Sequence, residues 1–217
     1  MEKEKINILE AKNKYQALIK NSNFDEINNF NDNLIPERII LSQSGDDERS
    51  FSLTQKQYEA LIKSMEKFKE DYCYRYICEG YKKNEFIVND INELLLITKN
   101  MSFKDYKKYD TLLENIVYSS QENWAIILTM EDYGILAATE EFMTEYKKNY
   151  PNWKEDIEKF KYYFDAPNFN LTVVEKLFNY VTENADDLTI EEKTLPWKNN
   201  PGDSQSGEEV LYAQAPC

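Results

Sequence analysis

The chain has no histidine in its 217 residues, so it lacks the side chain that most often serves catalysis and metal binding near neutral pH. Histidine-dependent triads and histidine-ligated zinc sites are therefore excluded within this chain. Glycine and proline are also scarce, at 5 and 6 residues, which argues against a loop-rich scaffold. The side-chain chemistry that remains belongs mainly to carboxylates, hydroxyls and aromatic rings.

The three cysteines form neither a disulfide framework nor a metal knuckle. Cys73 and Cys78 are five residues apart in a segment that we expect to be helical, where they would point to different faces, and Cys217 is the last residue. The charged, helix-like N-terminal stretch lacks the long apolar run of a signal peptide or membrane span. These observations predict a cytoplasmic protein that does not associate with membranes.

Basic residues are few relative to acidic ones, and the formal net charge is -14. This sign argues against direct nucleic-acid binding, which requires lysine and arginine clusters that displace counterions, and it permits a basic protein partner. Residues 183–217 carry -6 of the total, so the rest of the chain is only moderately acidic. Solubility alone is the alternative explanation of the charge.

Aromatic residues are abundant, with 16 tyrosines and 11 phenylalanines, and they favour helices packed on a sheet. The clearest helix begins at Thr54, where Gln57 completes a capping box, and runs to Tyr72 with apolar residues every three or four positions. Other helices are predicted over about 1–20, from Asp90, from Ser102 through Val117, from Thr139, after Pro151 and from about residue 170.

Two hairpins and one further strand are predicted. The first hairpin joins ERIILSQ (37–43) to RSFSL (49–53), and the second joins ENWAIILTM (122–130) to GILAA (134–138). EFIVN (85–89) is the further strand. We therefore expect one α+β domain over residues 1–184, with a mainly antiparallel sheet from two hairpins covered by about six helices, and an acidic, flexible, low-complexity tail over 185–217.

The candidate binding site lies at the two predicted hairpin turns. Both turns are acidic, and the second carries an aromatic ring; the residues are Asp46, Asp47, Glu48, Glu131, Asp132 and Tyr133. If both tips lie at the same edge of one sheet, they form an acidic patch with an aromatic anchor that suits a basic protein surface. Solvated turns are the alternative interpretation.

The stretch DYCYRYICEGY (71–81) places four tyrosines around Arg75. Acidic neighbours argue against a base-stacking platform, so core packing at the end of a helix, or a protein-binding face, explains it better. The stripe of Trp153, Ile157, Phe160 and Phe164 is typical of a core-facing helix. GDSQSG (202–207) resembles a serine-protease segment, but without a histidine its serine has no base.

Carboxylates alone leave open a hydrolase that depends on a divalent metal. Asp90 and Glu131 are the pair that such a site would use, although cap and turn roles also explain both residues. No calcium-loop or phosphate-loop spacing is present. We therefore expect no resident metal and no cofactor.

The stretch NWAIILTMEDYGILAATEEFMTEY (123–146) resembles small cytosolic bacterial proteins, including immunity proteins of toxin systems. The matching residues are Trp124, Glu131, Asp132, Gly134 and Phe142, whereas Ala137 and Ala138 stand where that pattern has a glycine pair. The resemblance implies a strand, an acidic turn and a second strand that leads into a helix. It carries no binding residue.

Together these features predict a non-enzymatic acidic protein that sequesters or inhibits a basic protein partner, as immunity-type inhibitors do. Three alternatives stay open: a mimic of nucleic-acid charge that binds DNA-handling proteins, a hydrolase that uses Asp, Glu and a divalent metal, and a structural or assembly subunit. The sequence leaves the oligomeric state undetermined.

Overall fold

The computed structural model describes residues 6–20, 29–43, 51–78, 86–88, 93–109, 111, 113–129 and 133–164, with side chains through residue 160. Five helices and six strands lie in these ranges. In chain order they are α1 (Ile8–Leu18), β1 (Glu37–Ser42), α2 (Gln55–Lys67), β2 (Tyr72–Ile77), β3 (Leu94–Thr98), α3 (Phe103–Lys107), β4 (Asn115–Ser119), β5 (Trp124–Leu128), β6 (Tyr133–Ala138), α4 (Glu140–Asn149) and α5 (Trp153–Phe164).

The strands form one six-stranded sheet in the order β1-β6-β5-β4-β2-β3, and every neighbouring pair is antiparallel. β4, β5 and β6 are a meander in the middle of the sheet. The chain crosses from β1 at one edge to β2 near the other through α2. The fold is therefore α+β with an antiparallel sheet, as the sequence predicts.

The meander contains the hairpin that was predicted over 122–138. Its strands are almost entirely apolar, and their residues are buried on both faces of the sheet. Gly134 is required here because a Cβ atom at this position would lie 2.8 Å from the carbonyl oxygen of Ile127 and 2.8 Å from Cδ2 of Leu128. The hairpin prediction is confirmed.

Helices cover both faces of the sheet. On one face α1 packs across β4 and β2, where the Tyr118 hydroxyl donates to the Ala11 carbonyl at 3.1 Å and the Tyr15 ring meets the Tyr118 ring edge-on. On the other face the rings of Phe142 in α4 and Trp124 in β5 stack at 5.5 Å between centroids. α2 packs against α4, and α5 packs along β1.

The predicted helix starts are confirmed at three positions. Thr54 and Gln57 form a capping box at the start of α2, the Thr139 hydroxyl caps α4, and the Ser102 hydroxyl caps α3. These caps are local interactions between residues three apart, which explains why the sequence alone reveals them. Within the described residues, no helix is both long enough and apolar enough to span a membrane.

The prediction of the first hairpin is wrong. β1 pairs with β6, and residues 51–53, the described part of the second predicted strand, form no strand. The burial of β1 explains the difference, because five of its six residues are buried and a two-stranded hairpin could not cover them. Residues 86–88, the described part of the strand predicted over 85–89, also lie outside any strand.

Three segments that were predicted to be helical are strands. Residues 72–77, including Cys73, form β2 instead of extending α2, and residues 94–98 form β3. α3 ends at Lys107, so that Ile116 and Val117 belong to β4. In β2 and β4, burial of nearly every side chain on the two faces of the sheet outweighs the local helix signal. β3 is only partly buried, and its pairing with β2 determines its conformation. The helix predicted near residue 170 and the tail lie outside the described residues.

Candidate functional site

A groove with a volume of about 650 Å³ opens where the N-terminal end of α1 faces the start of β2 and the end of β3. We call it the α1–β3 groove. The polar and aromatic side chains that give it its chemistry are Asn7, Glu10, Asp71, Tyr72, Tyr74 and Lys99. Its volume is in the range of roughly 300–1,000 Å³ that is typical of ligand sites in proteins.

The helix wall of the groove is built by the first turn of α1. Asn7 is the N-cap residue, and its Oδ1 accepts a hydrogen bond from the backbone N–H of Glu10 at 3.2 Å. Glu10 is the acidic residue of that first turn, where the helix dipole stabilises a negative charge. The cap therefore fixes the backbone that carries a half-buried carboxylate toward the sheet.

The floor of the groove is aromatic. The Tyr72 hydroxyl donates to Oε1 of Glu10 at 3.0 Å, and the Tyr72 ring meets the Tyr74 ring edge-on at 5.6 Å. Tyr74 is buried and stacks on Tyr118 at 5.4 Å. Strand β2 creates this arrangement, because its alternate residues place the Tyr72 and Tyr74 side chains on the same face of the sheet.

An ion pair lies at the rim, where Nζ of Lys99 is 2.6 Å from Oδ1 of Asp71. The backbone N–H of Lys99 also donates to the Asp71 carbonyl at 2.9 Å, which continues the β2–β3 ladder by one residue. The hydrogen bond and charge of Asp71 raise the pKa of Lys99. Both side chains are substantially exposed, so this ion pair contributes little to the stability of the fold.

The chemistry of the groove suits recognition rather than nucleophilic attack. Burial, followed by the hydrogen bond to Glu10, raises the pKa of Tyr72. Burial also raises the pKa of Tyr74. Both phenols therefore stay protonated near neutral pH, where Tyr72 acts as a hydrogen-bond donor and holds Glu10 as an oriented carboxylate. Cys73, next to both, is fully buried and has a raised pKa, so it remains an unreactive thiol.

Glu70 is a fully buried carboxylate outside the groove. Its Oε1 accepts hydrogen bonds from the side chain of Ser119, from the backbone and side chain of Ser120, and from the backbone of Gln121, while its Oε2 accepts from Nε1 of Trp124 at 2.9 Å. These bonds join the end of α2 to the β4–β5 turn. Because every donor is internal, Glu70 has a structural role.

A second buried polar cluster links α2, α5 and β1. Oδ2 of Asp156 accepts from Nε2 of Gln57 at 2.9 Å and from the Tyr150 hydroxyl at 2.8 Å. Nε2 of Gln57 also donates to the carbonyl of Ser42. Burial raises the pKa of Asp156, and the hydrogen bonds from Tyr150 and Gln57 partly oppose the rise. This cluster holds α5 on β1.

Most of the site residues predicted from the sequence lie outside the described residues: Asp46, Asp47, Glu48, Glu131 and Asp132. Tyr133 begins β6, where it is half-buried and meets the Phe160 ring edge-on at 5.2 Å. Ser42, the last residue of β1, lies opposite Tyr133. The chain therefore leaves β1 and enters β6 at the same end of the sheet.

The structure does not test the alternative metal pair, since Asp90 and Glu131 also lie outside the described residues. Among the residues that are described, no group of three acidic or cysteine side chains is placed to hold a metal ion.

The groove residues were not predicted as a site. Glu10 and Tyr72 are 62 positions apart, and no local pattern connects them. One signal was available, because YCYRYI has a tyrosine at every second position, which is the period of a strand. That period predicts that Tyr72, Tyr74 and Tyr76 share one face.

None of the protein-family models, curated proteins and solved structures compared with this chain matches it. The resemblance of residues 123–146 to bacterial immunity proteins therefore stays a prediction. Three of its matching residues have structural roles here, since Trp124 and Phe142 stack in the core and Gly134 allows close approach of β5.

Proposed function

We propose that this protein binds a basic segment of a protein partner in the α1–β3 groove and thereby sequesters or inhibits that partner. The observation that carries the proposal is the oriented carboxylate of Glu10, which Tyr72 holds at 3.0 Å above an aromatic floor. A carboxylate beside tyrosine rings is suited to a lysine or arginine side chain, because the cation gains both an ion pair and contact with a ring face.

The charge of the chain supports the same partner. A formal net charge of -14 steers a basic protein toward this surface and accelerates encounter, whereas the groove supplies the short-range contacts that give affinity. The Asp71 carboxylate at the rim lies within the same groove, although Lys99 already neutralises part of its charge.

The acidic segments 46–48 and 131–132 add negative charge to this proposal. Residues 46–48 and 131–132 are connected to the end of the sheet where Ser42 lies opposite Tyr133. Tyr72 and Thr98 line the groove, and they pair at the other end of the sheet from Ser42 and Tyr133. We propose that these acidic segments contribute long-range attraction, while the groove forms the direct contact.

Replacing Glu10 by glutamine tests the groove directly, because the glutamine side chain keeps an oxygen that accepts from Tyr72 but loses the charge. The probe is a ten-residue peptide of alternating lysine and threonine, titrated by calorimetry at about 0.15 M salt, where exposed charges farther apart than ~8 Å are screened. We expect Glu10→Gln to weaken binding about tenfold, the equivalent of ~1.4 kcal/mol for one charged contact.

Glu59→Gln is the matched control, since Glu59 is an exposed glutamate on α2 and its removal changes the net charge equally. It is expected to leave the affinity unchanged within a factor of two. Equal effects of both variants, or equal affinity for a peptide of alternating glutamate and threonine, would contradict the proposal.

A further inference from the structure

β3 is an edge strand that carries no charged residue and no proline of its own. It is the last strand of the sheet, and no strand of the described residues flanks its outer side. Natural edge strands usually carry a lysine, a proline or a bulge that prevents pairing with another chain. β3, with the sequence LLLIT, has no charged residue and no proline, and its five residues pair with β2 without interruption. The opposite edge, β1, is packed by α5.

The ladder with β2 determines which backbone groups of β3 point outward. The N–H of Lys99 donates to the carbonyl of Asp71, so Lys99 belongs to a hydrogen-bonded pair. In an antiparallel ladder such pairs alternate with pairs whose backbone groups point away. Leu94, Leu96 and Thr98 therefore direct their N–H and C=O groups outward, and the Thr98 carbonyl also accepts from the N–H of Met101.

We propose that β3 pairs antiparallel with β3 of a second copy of this chain, about a two-fold axis at Leu96. In this register Leu96 lies opposite Leu96 of the second copy, and Leu94 lies opposite Thr98. The backbone groups of Leu94 and Leu96 and the N–H of Thr98 meet donors and acceptors of the second strand in alternation. The Thr98 carbonyl, which already accepts from the N–H of Met101, uses its second lone pair for the N–H of Leu94 in the other copy. The two sheets become one continuous sheet of twelve strands.

Charge complementarity selects this occupant and this register. Glu93 immediately precedes β3 and Lys99 immediately follows it, so a two-fold axis at Leu96 places Glu93 of each copy opposite Lys99 of the other. Lys99 already pairs with Asp71 at 2.6 Å, and the second copy adds another carboxylate beside it. Parallel pairing in register would instead place like charges opposite each other, which is unfavourable.

The apolar side chains of β3 support the same interface. Leu95 and Leu96 are only half-buried in the single chain, and they lie on opposite faces of the sheet. A second β3 covers both. Because the axis is perpendicular to the sheet, α1 of each copy lies on the same face, so the two α1–β3 grooves adjoin. The inference holds whether or not the proposed groove ligand is correct.

Charge reversal and mixing test this interface. The mass of the full chain in solution is measured by sedimentation at about 0.15 M salt, where long-range repulsion between the acidic copies is screened. We expect a species near twice the 25.8 kDa chain mass. Glu93→Lys and Lys99→Glu each place like charges across the axis and should weaken dimerisation about tenfold. An equimolar mixture of the two variants should restore the dimer, because its heterodimers pair opposite charges at both ends.

Leu96→Lys provides a second test, since it brings two lysines together at the axis and should favour the monomer. Leu113→Lys is its control, because Leu113 is a 42% exposed leucine outside β3. Far-UV circular dichroism verifies that each variant folds. A wild-type chain that stays monomeric, a mixture that restores nothing, or a dimer that Leu96→Lys and Leu113→Lys affect equally would overturn the proposal.

Discussion

The hydrogen bond between Glu70 and Trp124 offers the sharpest test of how this fold is held together. Glu70→Gln is the perturbation. Oε1 of Glu70 accepts four hydrogen bonds and Oε2 accepts one, from Nε1 of Trp124 at 2.9 Å. The single oxygen of glutamine is therefore expected at the Oε1 position, where it keeps four donors. Its NH₂ group then faces the indole N–H, and two buried donors oppose each other.

The expected magnitude follows from burial, since both Glu70 and Trp124 are fully buried. A hydrogen bond to a charged group contributes ~1.5–3 kcal/mol, and a buried donor left without an acceptor does not regain water, so the loss lies in the upper part of that range or slightly above it. We expect Glu70→Gln to lower the free energy of unfolding by about 2–4 kcal/mol. Glu70→Ala removes both acceptor oxygens and should cost more, although the Ser120 hydroxyl keeps the Tyr72 carbonyl and the Gln121 N–H keeps Oγ of Ser119 as acceptors.

A double-mutant cycle isolates the single bond. Trp124→Phe removes the indole donor, and in the Glu70→Gln background it relieves the opposed donors. Urea unfolding followed by far-UV circular dichroism should give a coupling free energy of ~1.5–3 kcal/mol between the two positions. Additive effects, with coupling below ~0.5 kcal/mol, would refute the reasoning, because volume changes at Trp124 cancel in the cycle.

Three further predictions concern the backbone and a buried acid. Lys69 follows α2 with φ 56°, where its N–H donates to the carbonyl of Glu66 and the N–H of Glu70 donates to the carbonyl of Met65. Lys69→Gly should therefore stabilise the protein by ~1 kcal/mol in urea unfolding, whereas Lys63→Gly, at an exposed position inside α2, should destabilise it by a similar amount. Gly134→Ala should cost ~1–3 kcal/mol, because its Cβ would lie 2.8 Å from the Ile127 carbonyl oxygen; an unchanged melting curve would contradict this. Burial raises the pKa of Asp156 in the folded state, so its contribution to stability is fully present below the unfolded pKa of ~3.9 and is lost as pH rises through the folded pKa. Asp156→Asn keeps an acceptor for Tyr150 but cannot ionise. As the pH rises from the unfolded to the folded pKa of Asp156, the free energy of unfolding of this variant should therefore increase relative to that of the wild type. Parallel plots of unfolding free energy against pH for the two proteins would contradict this.

Local interactions of the fold were predictable from the sequence. The caps at Thr54, Ser102 and Thr139 depend on residues three positions apart. The β5–β6 hairpin has two apolar runs separated by a short acidic sequence, which is a direct hairpin signal. The pairing of β1 with β6 was not predictable, because Glu37 and Ala138 are about one hundred positions apart and nothing in either strand specifies the other.

Short apolar segments account for the incorrect predictions. Leu94–Thr98 fits a buried helix as well as a strand by pattern alone, and only its neighbours in the sheet decide between them. In the sequence, the aromatic residues of 72–77 extend the apolar pattern of α2. In the structure, α2 ends at Lys67, and the positive φ of Lys69 turns the chain away from the helix. A non-glycine residue in this conformation has no reliable sequence signal.

The candidate site could be predicted only in part. The acidic charge and the predicted basic partner come from composition, and they remain predictions. The groove depends on α1 packing across β2, which brings Glu10 to Tyr72 and places both near Lys99. Contacts of this kind depend on the tertiary fold, and no spacing in the sequence reveals them.

The most direct test of the proposed function is nuclear magnetic resonance mapping of the alternating lysine–threonine peptide on the ¹⁵N-labelled full chain. Binding in the groove predicts saturable shifts of backbone amides at residues 7–10, 71–74 and 96–100, which diminish strongly in Glu10→Gln. Saturable shifts confined to other residues, or shifts at the groove that are equal in Glu10→Gln and wild type, would contradict the assignment of the groove as the binding site.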